Sequence, residues 1–155
     1  MKIIRDTREH RPFLFGGYDC EVEVGTLATG DYSLAGLIDR VAVERKSLDD
    51  LVSCLMGAGR NRFTRELARA AALEQFVVVV EATMEDIKEG RYRSKMAPNA
   101  ALQSVLAFQA RYGTSILWAG NRALAEEATF HFLRHYLRDE RERLRVINRE
   151  QGGMA

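Results

Sequence analysis

Val41-Ala42-Val43-Glu44-Arg45-Lys46-Ser47-Leu48-Asp49-Asp50 is the stretch on which the reading of this chain turns. Three small or β-branched apolar residues run straight into three charged ones. Ser47-x-x-Asp50 then opens a helix as a capping box, with Asp in place of the usual Glu. A strand over Val41–Lys46 puts alternate side chains on one face, so Glu44 and Lys46 point the same way and Arg45 points the other. An acid and a lysine side by side at the end of an apolar strand suit chemistry better than packing.

Working outward, Lys2–Asp6 alternates around Ile3 and Ile4 and predicts a short strand. Cys20–Val24 predicts a second, with Val22 and Val24 on one side. Leu27–Leu34 carries Gly30-Asp31 as a turn signal between strand-like flanks. With Leu37–Lys46, which begins after the break at Gly36, it makes a hairpin. Downstream, a helix over Leu48–Met56 is expected to stop at Gly57-Ala58-Gly59. Asn61–Leu73 follows as a helix burying Phe63, Leu67, Ala70 and Ala71.

Phe76–Glu81 is apolar and β-branched enough for a central strand covered on both sides. Then come a short helix at Met84–Lys88, an amphipathic helix at Asn99–Tyr112 closed by Gly113, and a last strand at Ser115–Ala119. Asn121 starts a long terminal helix, about 121–149. Strands, a helix pair and then β-α-β predict one α/β domain over 1–150, with a mixed central sheet flanked by helices on both faces and a frayed tail at 151–155.

At 155 residues the chain is long enough to bury a real core. The longest apolar run, Phe76–Val80, is far short of the roughly 20 residues a membrane span needs. Met1–Asp6 lacks a signal-peptide core, so an intracellular, cytoplasmic and nucleoid-associated protein is expected, with Cys20 and Cys54 reduced. The net charge of +1 hides local basic stretches. Lys88, Arg91, Arg93 and Lys95 surround Tyr92, and Arg60, Arg62, Arg65 and Arg69 form a second series. Such stripes are what phosphate contacts require. Tyr92 can stack on a base or simply cover the domain edge. His131 and His135 lie one helical turn apart but have no third ligand nearby, and they read as packing, as does Trp118.

Hydrolysis of a phosphodiester needs a nucleophilic water, charge relief on the phosphorus and help for the leaving oxygen. A divalent metal meets all three needs, and Mg²⁺ takes one or two carboxylates plus waters and substrate oxygens. Asp31 and Glu44, each at a strand end, are the candidate ligands for Mg²⁺ or Mn²⁺. Lys46 would face the same pocket and orient the attacking water or offset developing negative charge. Arg45 could offer its carbonyl to the metal, or its guanidinium to Asp50 or a phosphate.

Asp6-Thr7-Arg8-Glu9, Gly30-Asp31 and Glu44-Arg45-Lys46-x-x-x-Asp50 stand in an order that resembles the XPF-type structure-specific endonucleases. Their signature is V/I-x-D-x-R-E, then G-D, then E-R-K-x-x-x-D. Leu51–Leu55, Gly59-Arg60 and Arg62-Phe63 resemble the same family's helical segment. The resemblance covers residues 1 to about 120 and implies a restriction-endonuclease-like, PD-(D/E)XK fold. It implies metal-dependent cleavage of branched, flap or fork DNA that leaves a 5′-phosphate and a 3′-hydroxyl. Asp31 and Glu44 match metal ligands, Lys46 the catalytic lysine, and Arg45 and Asp50 its neighbours. Asp6, Arg8 and Glu9 match an acidic block lining the same pocket, and Arg60 and Arg62 compete for one family arginine.

Eukaryotic and archaeal members follow the nuclease with a helix-hairpin-helix module. Here a charged helix, Ala123–Asn148, stands in that place, so a stand-alone domain is expected. Its His131, Phe132, Tyr136 and Leu137 form a stripe for a homodimer partner or for the domain's own sheet. The expected partner is DNA, with no membrane and no small-molecule cofactor. The rival readings are a catalytically silent DNA-binding or scaffold partner of another nuclease subunit, and a resolvase-like nuclease of the same fold.

Overall fold

The computed structural model describes residues 1–152; residues 153–155, the end of the expected tail, lie outside the described residues. The strands are β1 (Lys2–Asp6), β2 (Glu21–Gly25), β3 (Tyr32–Leu34), β4 (Val41–Lys46), β5 (Gln75–Val80) and β6 (Ser115–Trp118). The helices are α1 (Leu48–Ser53), α2 (Gly57–Ala70), α3 (Met84–Lys88), α4 (Pro98–Tyr112) and α5 (Arg122–Glu150). The six strands form one sheet in the order β2-β1-β3-β4-β5-β6. β3 runs antiparallel to both β1 and β4, while β1–β2, β4–β5 and β5–β6 are parallel pairs. The fold is therefore a mixed α/β sheet, as expected.

Strand parity divides the core in two. On one face Val78 and Val80 pack with α1, α2, α3 and α4 through Leu51, Phe63, Leu67, Ile87, Val105 and Phe108. On the other, Val41, Val43, Val77 and Val79 pack with α5 and with Phe13 and Phe15 of the N-terminal loop. All of Val78, Val79 and Val80 are fully buried, so β5 is covered on both sides. Each such valine contributes about 1.5–3 kcal/mol by leaving water.

Four details depart from expectation. β4 starts at Val41 rather than Leu37, because Leu37 and Arg40 donate to the carbonyls of Leu34 and Leu37 in a tight turn. Gly57-Ala58-Gly59 does not end a helix: α1 stops at Ser53 and these residues begin α2. Gly57 (φ +52) turns the chain, and a Cβ on Gly59 would fall 2.3 Å from the Ser53 carbonyl oxygen, so only glycine lets the two helices approach. α2 ends at Ala70, which leaves Ala71 exposed instead of in the buried stripe. Finally, Val22 and Val24 lie on one side of β2 but are exposed, because β2 is the edge strand of the sheet and neither valine packs into either core.

Of the capping box expected at Ser47, one arm forms, the Asp50 amide donating to Ser47 Oγ at 3.1 Å. The reciprocal box is found instead at Thr83 and Asp86, opening α3. Asn121 caps α5 through the Leu124 amide. Phe132, Tyr136 and Leu137 pack against the domain's own second core, the second of the two alternatives. Trp118 is half-buried against the first core rather than enclosed. Both cysteines are free thiols. No described helix is long and apolar enough to cross a membrane.

Candidate active site

Gly30 places the first acid. Its φ of +82° is a left-handed conformation, and a Cβ there would meet the Ala42 Cβ at 2.8 Å, so the chain can lie against β4 only with glycine. Two backbone hydrogen bonds then lock Asp31 between its neighbours: its amide donates to Val43 and its carbonyl accepts from Asp6, both at 2.8 Å. The Arg45 amide donates to Asp31 Oδ2 at 2.8 Å. On the same face of β4 stands Glu44, only 6% exposed, with Lys46 Nζ 2.8 Å from its Oε1. Lys46 also sits 5.4 Å from the Phe63 ring centre, which ties it to α2.

These carboxylates open into a cavity of about 350 Å³ whose polar lining is Asp6, Arg8, Thr29, Asp31, Glu44, Arg62, Arg65, Glu66 and Arg69. Burial pushes the Asp31 carboxyl up to about 6, against the Arg45 amide and with help from the charges of Glu9 and Glu66. Burial also lifts Glu44 well above the usual carboxylate range; Lys46 opposes that rise, and Asp31 and Glu66 add to it. Burial disfavours the Lys46 charge, but Glu44 outweighs it and holds the ammonium above its ordinary value. The site thus gathers two acids whose ionisation burial and mutual repulsion oppose, with Lys46 in direct contact with Glu44.

Hard oxygen donors under mutual repulsion fit a divalent cation. No three potential ligands among the described residues converge closely enough to hold a metal ion by themselves, so a cation held by Asp31 and Glu44 would need waters and substrate oxygens to complete its shell, as Mg²⁺ commonly does. Thr29, in the cavity wall, carries the only buried side-chain oxygen among the described residues that lacks a hydrogen-bond partner. A buried polar atom in that condition favours a polar guest.

The first acidic block divides. Asp6 lines the cavity, but its carboxylate already accepts from the Arg8 amide and guanidinium and, at 2.7 Å, from the Leu27 amide. Burial works against its ionisation, yet these donors hold Asp6 below the usual carboxylate value. It clamps the wall that carries Thr29 and Gly30. Glu9 does not line the cavity. It lies on the opposite side of β4, gripping Arg45 at 2.9 and 3.2 Å. Arg45 reaches Glu81 as well, at 3.2 Å, and Arg122 of α5 meets the same Glu81 oxygen at 2.8 Å. The Arg45 guanidinium is therefore spent on Glu9 and Glu81, not on Asp50 or a phosphate.

Asp50 is exposed and stands outside the cavity wall. Arg62 lines the cavity, whereas Arg60 turns away, 4.6 Å over the Phe108 ring with one nitrogen on the Leu55 carbonyl. In the basic loop, Arg91 pairs with Asp86 and Arg93 with Asp49. Tyr92 donates to the Met96 carbonyl and packs on the first core, covering the domain edge. Lys88 and Lys95 form no ion pair among the described residues and lie outside the cavity.

Sequence reading missed Glu66 as a site residue and placed Arg65 and Arg69 only in a basic stretch. Their signal is helical spacing: 62, 65, 66 and 69 share one face. Glu81 and Arg122 gave no local signal, since their partners lie 36 and 41 residues away.

The ERCC4 domain family model matches residues 5–132. XPF from Aeropyrum pernix has the same fold, with a TM-score of 0.70 at 23% identity over 96% of this chain and 73% of that one. The structure of that protein in complex with DNA matches at TM-score 0.68 and 22% identity, over 89% of this chain and 66% of that one. A protein of Methanocaldococcus jannaschii with the provisional name ATP-dependent RNA helicase is 29% identical over 121 residues. The match takes in 78% of this chain but only 14% of that protein.

Proposed function

The chain belongs to the ERCC4 domain family, and on that premise we propose that it is a divalent-metal-dependent DNA endonuclease acting at branched, flap or fork structures. The observation that carries the reading is the pair of crowded, buried carboxylates, Asp31 and Glu44, opening beside Lys46 into an arginine-rimmed cavity. Asp31 and Glu44 would hold Mg²⁺ or Mn²⁺, which when bound supplies charge relief at the phosphorus and acidifies a coordinated water.

The remaining work falls to the protein. Lys46 keeps a positive charge fixed beside the reacting phosphate, worth most in a site shielded from bulk water. Arg62, Arg65 and Arg69, which form no ion pair among the described residues, hold the phosphate backbone across the mouth. Asp6 and Arg8 position the wall, and Glu9 with Arg45 positions β4 from behind. Asp50 and the loop cations Lys88, Arg91, Arg93 and Lys95 contribute only outside the cavity, as does Arg60.

The test is cleavage of labelled 3′-flap, fork and plain duplex DNA with Mg²⁺, Mn²⁺ or EDTA. Metal-dependent cutting abolished by Asp31→Asn and strongly reduced by Lys46→Ala is the expected result. DNA binding without cleavage in either metal would overturn the enzyme reading in favour of a silent partner.

A further inference from the structure

We propose that the groove between α5 and the N-terminal side of the domain, where Met1 and Asp19 face the helix, is a second nucleic-acid site, holding the phosphate backbone of a duplex arm that the catalytic cavity does not reach. The inference rests on the DNA-acting reading above but not on catalysis.

The groove has a volume of about 700 Å³ and is larger than the candidate active site. Arg134, Arg138, Arg141 and Arg145 enter it at successive turns of α5, with His131 one turn before Arg134 and His135 between Arg134 and Arg138. Spacings of three and four residues keep all six on one face. From His131 to Arg145 the row runs about 21 Å at 1.5 Å per residue, about the length of six base-pair steps along one DNA strand.

The charge on this face is available. Arg134 and Arg141 form no ion pair among the described residues. Arg138 and Arg145 hold only long contacts, 3.4 Å to Asp139 and 3.3 Å to Glu142. Arg143, off the row, is by contrast tied to Glu140 at 2.8 Å. The groove is not purely cationic, since Asp19 and Glu142 also line it. Four guanidinium groups still outnumber two carboxylates, and planar forks of that kind suit phosphate oxygens.

Position supplies the rest of the argument. The catalytic cavity lies against α2, on the face of the sheet covered by α1–α4, whereas α5 covers the other face. One straight duplex would have to bend around the sheet to touch both surfaces. A branched molecule presents one arm to each without bending. The second site would therefore favour branched over linear DNA of equal size.

The experiment measures binding of wild type and of the Arg134→Ala/Arg141→Ala double variant to a fork and to a linear duplex of equal length. It is done in EDTA across a salt series, with circular dichroism to verify the fold; both arginines are exposed and form no ion pair among the described residues, so the fold should hold. The double variant is expected to lose roughly tenfold in fork affinity and about two units of salt slope, with little change on the linear duplex. Unchanged fork affinity and slope would overturn the proposal. So would an altered sedimentation coefficient with DNA binding intact, which would assign the groove to self-association. A wild type that binds forks but cuts nothing in Mg²⁺ refutes the nuclease reading while the groove stands; a wild type that binds no DNA refutes the groove.

Discussion

Glu44 and Arg45 are adjacent on β4, yet they belong to two different ionic clusters. On one face of the strand, Asp31, Glu44 and Glu66 crowd a cavity; among the described residues Lys46 is the only cation ion-paired with any of the three, while Arg62, Arg65 and Arg69 line the mouth without an ion pair. On the other, Glu9 and Glu81 meet Arg45 and Arg122 in a closed network with two acids and two bases. Arg122 also donates to the carbonyls of Arg11 and Pro12, so the network stitches the N-terminal loop and α5 to the strand. One cluster leaves most of its charges without direct ion pairs among the described residues and opens to solvent; the other is fully paired and shut. Alternating side chains let a single strand carry reactive charge on one side and its structural support on the other.

The largest effect expected from breaking this division is on stability. Arg45→Met removes the central cation and leaves Glu9 buried without its bidentate partner. Losing one member of a buried pair costs about 3–5 kcal/mol. Urea or thermal denaturation should show that loss, and cleavage should fall only as far as the folded fraction falls. A stable Arg45→Met protein that cannot cut would place Arg45 in the chemistry and erase the distinction between the faces.

Next comes the opposite signature. Lys46→Ala should lower the cleavage rate by about 10²–10³-fold, the usual cost of removing one preorganised charge from a reacting site. Its effect on the denaturation midpoint should be smaller than that of Arg45→Met. Asp31→Asn should abolish cleavage with the midpoint unchanged or raised, since it removes one of two crowded acids. A large drop in midpoint for Asp31→Asn would mean that the cavity acids are structural.

How much of this was legible depends on the range of the contacts. β5, α3, α4 and the Asn121 cap could be read locally, from an apolar run, a capping residue or a C-terminal glycine. Leu37 and Ile38 imitate a strand, and only the hydrogen bonds that close the turn at Leu34–Arg40 exclude them. Gly57 and Gly59 imitate a stop, and only the packing of α2 against the end of α1 shows that they are a start. The site followed the same rule. Strand parity separates Glu44 and Lys46 from Arg45. Placing Glu9 behind the strand requires contacts across 36 residues, and no local pattern encodes them. Glu66 needed the register of α2 against β4, which the helix alone does not reveal.

A smaller effect is expected at Glu9. Glu9→Gln keeps the shape but removes the charge that Arg45 binds, at a cost of about 1–3 kcal/mol. Burial opposes its ionisation, but hydrogen bonds from Arg45 and the Arg11 amide win and hold Glu9 below its ordinary value. A depressed folded value means that the stabilisation is fully present above the unfolded glutamate pKa, about 4.3, and is lost as pH falls through the folded value. The difference between wild type and Glu9→Gln should thus be constant near neutrality and shrink below about pH 4. A gap that persists unchanged into acid would show that Glu9 acts through shape alone.

The smallest effect separates cations that are free from cations already neutralised. Arg65 and Arg69 line the cavity without an ion pair among the described residues, whereas Arg91 and Arg93 are held at 2.8 and 2.9 Å by Asp86 and Asp49. A guanidinium that must leave its carboxylate before meeting a phosphate gains little from the exchange. Arg65→Ala or Arg69→Ala should each lower the salt slope of DNA binding by about 1. Arg91→Ala or Arg93→Ala should lower it by less, with stability changed by less than about 0.5 kcal/mol. If the loop variants show the larger slope change, DNA crosses the protein at the α3–α4 edge, and the arginine row on α2 serves only to offset the acids it faces.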